Sequence, residues 1–357
     1  MEKGNSRRNS NIELLRIILM IMVITLHFNN GEMGGAFNLV QSGTLNFHFL
    51  YFLESLSICA VNCFMIISGY FLAYNKKVKL GKIVDLLLIV IFYRIFDYII
   101  SLIFGVETFS LKSFAFRFMP TNYFAIFYIV TYLFSPFLVL IFDSLNEKKQ
   151  KYFVIISVLL FVVYSSVLDI GMDIIPGLHL EGLSVISIKG NLNGYSIVQF
   201  FVALIVGMYL RRTSFNPKSW ILFCVYFIGS FIMTVFVHKL PSLYGYCSIF
   251  TFINAVCLFL LFNKLNIQNK VINYISKSVF AIFCIHTLPI ANALWRKIIT
   301  TKHLYKRGGG LLIWLLISVL GMFLCSLVLD LLVRHTFGFL KNKLCNKCPV
   351  ILDLETN

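Results

Sequence analysis

The chain has 357 residues and a formal net charge of +16, with 59% hydrophobic and only 13% charged residues, and its mean hydropathy is +0.85. Soluble domains carry about 25% charged and 45–50% apolar residues, and here the apolar excess runs from end to end, so no stretch reads as an appended soluble domain. The basic residues fall mainly in short connections between apolar runs, where topology signals reside; membrane lipids, and not nucleic acid, are the expected partners of that charge.

A membrane-spanning helix needs about 20 mostly apolar residues. Ten candidates follow in chain order: 12–30, 49–74, 83–104, 122–142, 152–168, 195–210, 219–237, 245–262, 278–294 and 310–334. Lipid offers the backbone no hydrogen-bond partners, so these runs are predicted to be helices. A β-barrel would alternate apolar and polar positions, and these runs are continuous. The expected fold class is therefore all-α, a polytopic integral membrane helical bundle. Residues 1–340 are read as one transmembrane domain, with 341–357 a short cytoplasmic tail.

With the N-terminus inside, 19 of the 31 Lys and Arg fall on the inner connections and termini, and 9 on the outer ones. That bias predicts a cell-membrane protein with both termini cytoplasmic. The outer loop 295–309 runs against it, with Arg296, Lys297, Lys302, Lys306 and Arg307. Two long outer connections, 29–48 and 169–194, are natural places for substrate contact. No internal repeat is visible, which disfavours a transporter built from two similar halves. The first apolar run follows a basic leader but ends at no small-residue cleavage site, so it is expected to be retained. Of the nine cysteines, seven lie in apolar segments as small hydrophobes. Cys345 and Cys348 form a lone CxxC pair with no second pair or histidine at ligand spacing, and no metal site is expected there.

The first helix, NIELLRIILMIMVITLH, carries Glu13, Arg16 and His27 in an otherwise apolar run. Charges inside a membrane cost about 2.5–3.5 kcal/mol on insertion scales and usually have a task. Asn11 stands where an N-cap is expected. Glu13 and Arg16, three apart, are neighbours able to pair. Eleven steps of 100° bring Arg16 and His27 to the same face, about 16 Å apart along the axis. Histidine can act as a general base near neutral pH, and arginine can grip a phosphate or carbonyl with its fork of donors. A bland alternative has Arg16 reaching the interface and His27 closing the outer end.

The sequence resembles the acyltransferase-3 family of membrane O-acyltransferases, particularly members that acetylate bacterial surface polysaccharides. RNSNIELLRIILMIMVITLH looks like the family's opening; NCFMIISGYFL (62–72) resembles its FxxxSGY stretch. NYFAIFYIVTYLFSPFLVLIF (122–142) resembles the YxxxYLxSPFL pattern, and SVFAIFCIHTLPIANALW (278–295) the late YLIH segment. The resemblance implies ten helices, acetyl-CoA (an acyl-CoA) as donor substrate with no bound cofactor, and a hydroxyl of a glycan or lipid-linked sugar as acceptor. It implies that His27 and Arg16 are the catalytic pair, with Glu13, Ser68, Tyr70, Lys79, Lys82 and His286 as substrate-binding candidates. The stretch after SGY supplies lysines where many members have arginines, the late motif reads FCIH, and no esterase-like domain is expected after the last helix.

Ser68 is not expected to be a nucleophile, since no glycine lies two before it and no strand precedes it; Ser68 and Gly69 more simply permit close helix approach. Pro136 is expected to kink its helix, with Ser135 taking the freed carbonyl. Asp330 and Arg334 are spaced for an ion pair, and Glu54, Arg94 and Asp97 must find partners or water. The main alternative function is a transporter or flippase for a lipid-linked saccharide, the second a non-catalytic sensor or assembly subunit.

Overall fold

The structure, a computed structural model, describes residues 9–30, 33–178, 195–293 and 308–354. It is an all-α bundle, and among the described residues eight helical stretches are long and apolar enough to cross a membrane. The principal helices are α1 (Ser10–Asn29), α2 (Leu45–Ser57), α3 (Ala60–Leu72), α4 (Leu80–Ile103), α5 (Leu111–Phe116), α6 (Tyr123–Ser144), α7 (Glu147–Val158), α8 (Ser165–Ile174), α9 (Ile197–Arg212), α10 (Ser219–Phe236), α11 (Ile249–Asn263), α12 (Lys270–Ile275), α13 (Val279–His286) and α14 (Gly308–Asn346).

Three of the ten expected spans differ. α9 has only 16 residues, about 24 Å at 1.5 Å each, and it is buried against its neighbours along most of its length. The run expected over 278–294 is interrupted: α13 ends at His286, and helix resumes only at Pro289, whose ring and missing N–H oppose a continuous ladder. The run expected over 49–74 is interrupted too, at Ile58–Cys59. There the Tyr226 hydroxyl donates to the Leu56 carbonyl at 2.8 Å, taking the acceptor that the Ala60 N–H would use. Side-chain insertion into the ladder, and not proline or glycine, breaks this helix.

Backbone proximity fixes the centre of the bundle. A Cβ on Gly69 would stand 2.1 Å from the Leu204 carbonyl oxygen, and one on Gly207 2.1 Å from that of Ile66. α3 and α9 thus meet through a glycine from each, the close approach that small residues permit. In α6 the Ser135 hydroxyl donates to the Tyr132 carbonyl at 2.8 Å, the oxygen that Pro136, lacking an N–H, leaves open. The connection expected from 169 begins only after α8, with Asp169 buried and Asp173 accepting from the Ser242 N–H at 2.9 Å; residues 179–194 lie outside those described. The Gly-rich connection folds back onto α1: a Cβ on Gly34 would lie 2.3 Å from the Phe28 carbonyl oxygen.

One short antiparallel ladder joins Lys77–Lys79 (β1) to Val350–Asp353 (β2), with Lys77 and Asp353 paired at 3.1 Å. α1 sits in the middle of the bundle. Its first turn is held by Asn11, which donates to the Phe262 carbonyl at 2.9 Å. Asn11 is therefore not the N-cap; that position is Asn9, and the Asn11 side chain serves a tertiary contact. The end of the bundle where α1 begins is called proximal below, the other distal.

Candidate active site

The charged residues and the histidine of α1 fall on one stripe. Glu13, Arg16, Met20 and Val23 line a proximal cavity of about 410 Å³, and His27, one further step of four, lines a distal cavity of about 390 Å³. Steps of three and four keep these five side chains on one helix face. Arg16 and His27 therefore share a stripe as expected, but they open into two cavities and not one. Phe283 of α13 lines both.

The proximal cavity has a charged mouth and an apolar interior. Arg16 pairs with Glu13 at 3.5 Å. The Lys82 ammonium lies 4.2 Å from the Tyr132 ring centroid and 5.2 Å from that of Tyr128, within cation–π range. Asp85 and Lys277 stand at the same cavity, and Val61, Phe64, Phe124 and Phe280 line its interior. Three cations beside an apolar channel fit a ligand with a phosphate-bearing head and an extended, weakly polar arm.

His27 is fixed by a second histidine. Its Nδ1 lies 2.7 Å from Nε2 of His286, and the two rings stack at 4.8 Å. Nδ1 of His286 lies 2.8 Å from the Ile282 carbonyl oxygen. A carbonyl only accepts, so the His286 Nδ1 carries the proton and its Nε2 is an acceptor in the neutral ring. The His27 Nδ1 must then donate, which leaves the lone pair of His27 on Nε2. This tautomer follows from the hydrogen-bond pattern. A carbonyl–imidazole–imidazole chain thus fixes the tautomer and orientation of His27.

The distal cavity is lined by apolar side chains, among them Met33, Val90, Phe283 and Leu288, with a charged cluster of Arg94, Asp97 and Arg117. Asp97, fully buried, accepts from Arg117 at 3.2 Å and from the Ile290 N–H at 3.1 Å. Arg117 also binds Glu107 at 2.7 Å. Arg94 is held by neutral oxygens, those of Phe116 and Arg117 at 3.2 and 3.3 Å and the Thr121 hydroxyl.

Of the residues expected to bind substrate, Glu13, Ser68 and Lys82 line the proximal cavity, and His286 meets His27. Ser68 donates to the Phe64 carbonyl at 2.9 Å. Tyr70 lines neither cavity: its hydroxyl accepts from Arg211 at 2.8 Å, and the Arg211 guanidinium lies 4.9 Å from its ring centroid. Lys79 lies in β1, exposed, with its N–H donating to the Tyr132 hydroxyl at 3.0 Å. The SGY stretch thus divides its labour, with the serine at the cavity, the glycine in helix packing and the tyrosine in an anchor to α9. Asp330 and Arg334 form the expected pair at 2.8 Å, and Glu54 accepts from Asn29 at 2.8 Å. Lys277, Arg117 and Phe283 were not singled out from sequence; a cation or aromatic in a connection or apolar run carries no local mark of a cavity. Residues 295–307 of the basic loop lie outside those described.

The fold and site define a class, a polytopic all-α membrane protein with a buried histidine pair beside a cavity. The comparisons with known proteins supply the family. The model of an acyltransferase domain, Acyl_transf_3, matches residues 9–330, and the chain belongs to the acyltransferase-3 family. No curated protein and no solved structure gives a significant match.

Proposed function

We propose that this membrane acyltransferase moves an acetyl group from acetyl-CoA to a hydroxyl of a bacterial surface polysaccharide or its lipid-linked precursor. The observation that carries this reading is the His27–His286 pair, with His27 lining the distal cavity and Phe283 lining both cavities. The donor enters from the proximal end, taken as cytoplasmic because the basic connections gather there. Its phosphates meet Arg16, Lys82 and Lys277, and the pantetheine arm follows the α1 stripe past Met20 and Val23. The span from Arg16 to His27, about 16 Å of helix rise, suits an arm that separates a phosphate end from a reactive end.

The acceptor hydroxyl enters the distal cavity. The Nε2 lone pair of His27 takes its proton as the oxygen attacks the thioester carbonyl, and His286 accepts from the Nδ1–H of the imidazolium so formed. Collapse breaks the C–S bond, the leaving thiolate takes the proton from His27 Nε2, and the products are the O-acetyl ester and free CoA. Ser68 plays no covalent part. Both termini are cytoplasmic in this arrangement.

Incubating membranes that contain the chain with labelled acetyl-CoA and isolated surface polysaccharide tests the proposal. Label passes to the glycan with the wild-type chain and not with His27→Ala. Label transfer that persists at the wild-type rate in His27→Ala refutes it. Movement of intact lipid-linked saccharide across the membrane with no label transfer favours a flippase instead.

A further inference from the structure

The distal cavity has a neighbour. Arg94 and Arg117 also line a neighbouring groove of about 800 Å³, so the two spaces share a wall of guanidinium groups. Among the described residues this groove is lined by three cations, Arg94, Lys112 and Arg117, and by no carboxylate. Arg117 is neutralised from behind by Asp97 and Glu107. Arg94 is held only by carbonyl and hydroxyl oxygens, which leave two of its five N–H donors uncommitted. Lys112 is exposed, and among the described residues it makes no ion pair.

Taking the acyl-transfer reading as given, we infer that this groove is an anion subsite for the acceptor, and that the acceptor is a saccharide bearing a carboxylate or phosphate near the hydroxyl that is acetylated. A positive groove that shares Arg94 and Arg117 with the cavity of His27 favours a negatively charged ligand. The anion seats on Arg94 and Lys112 while a neighbouring hydroxyl reaches His27 Nε2. A guanidinium with two free donors engages either oxyanion in a two-point contact, so the two anion chemistries share one site. Arg94 and Lys112 are thus specificity residues and take no part in the bond changes.

The test uses the full chain in nanodiscs of neutral phosphatidylcholine with labelled acetyl-CoA and three probes: a uronic acid oligosaccharide, a sugar-phosphate oligomer and a neutral dextran oligomer. At least one charged probe is acetylated with kcat/KM roughly tenfold or more above dextran, the scale expected of one hydrogen bond to a charged group. Which charged probe is used identifies the anion. Lys112→Gln, a substitution at an exposed side chain, raises the KM of the charged probe roughly tenfold and leaves the KM for acetyl-CoA in place. Arg94→Gln does the same, but Arg94 also ties α4 to the segment 116–121, so the Lys112 variant is the arm that does not depend on folding.

Dextran accepted as well as the charged probes, or a KM that ignores Lys112→Gln, overturns the inference. So does a rate that rises with anionic phosphatidylglycerol in a Lys112-dependent way without any preference among acceptors, since the groove then holds a lipid headgroup. If the wild-type chain consumes no acetyl-CoA at all, the acyl-transfer reading fails first and the inference with it. If it does consume acetyl-CoA but prefers no acceptor, the subsite alone fails.

Discussion

Replacing His286 by alanine is the sharpest perturbation of the proposed chemistry. The substitution removes the acceptor 2.7 Å from His27 Nδ1 and with it the reason for the Nδ1–H tautomer. A donor left unmatched in a buried setting costs about 1–3 kcal/mol, and about 1.4 kcal/mol is a factor of ten in rate. kcat for acetyl transfer is therefore expected to fall roughly ten- to a hundredfold. The KM for acetyl-CoA should hold, because Arg16, Lys82 and Lys277 are untouched. Glutamine should recover part of the loss: its amide oxygen can accept from His27 while its amide N–H₂ donates to the Ile282 carbonyl, the two contacts that His286 makes. The assay is initial-rate kinetics in membranes with acetyl-CoA and a fixed acceptor, on variants matched for expression. A kcat for His286→Ala within about twofold of wild type, well inside the roughly tenfold minimum above, refutes this role of His286. Glutamine no better than alanine refutes the tautomer assignment.

Other substitutions test the remaining parts. Arg16→Ala should raise the KM for acetyl-CoA roughly tenfold, as expected for one lost charge-assisted contact, with a smaller change in kcat, measured by the same kinetics. Phe283→Ala opens the ring shared by the two cavities; the ratio of acetyl-CoA hydrolysis to transfer should rise, read from free CoA released against label in the glycan, and an unchanged ratio removes Phe283 from the partition. Gly69→Ala places a Cβ 2.1 Å from the Leu204 carbonyl oxygen, so the unfolding transition in detergent should shift down by the equivalent of about 1–3 kcal/mol, the usual cost of overpacking.

Much of the bundle was legible in one dimension. Continuous apolar runs announce helices because the backbone has no other way to satisfy its polar groups in lipid. The Glu13–Arg16 pair, the Asp330–Arg334 pair and the Ser135 bond to the carbonyl that Pro136 frees are all local, set by spacings of one to four residues along a helix. The stripe through Arg16 and His27 was legible for the same reason. Local spacing could not show that α2 and α3 part at Ile58–Cys59, because the hydroxyl that opens the ladder comes from Tyr226, 170 residues away.

What the sequence by itself determined is therefore the helical class, the approximate spans and the face of α1 that holds Glu13, Arg16 and His27. Only the tertiary structure decided that His27 meets His286, 259 residues distant, that the stripe opens into two cavities, and that Arg94 and Arg117 border the second. The physical reason lies in the helices themselves. They are apolar nearly all round, so hydrophobicity does not say how each is rotated about its axis. That rotation comes from close contacts such as those of Gly69 and Gly207 and from buried polar partners, which exist only once the helices are packed.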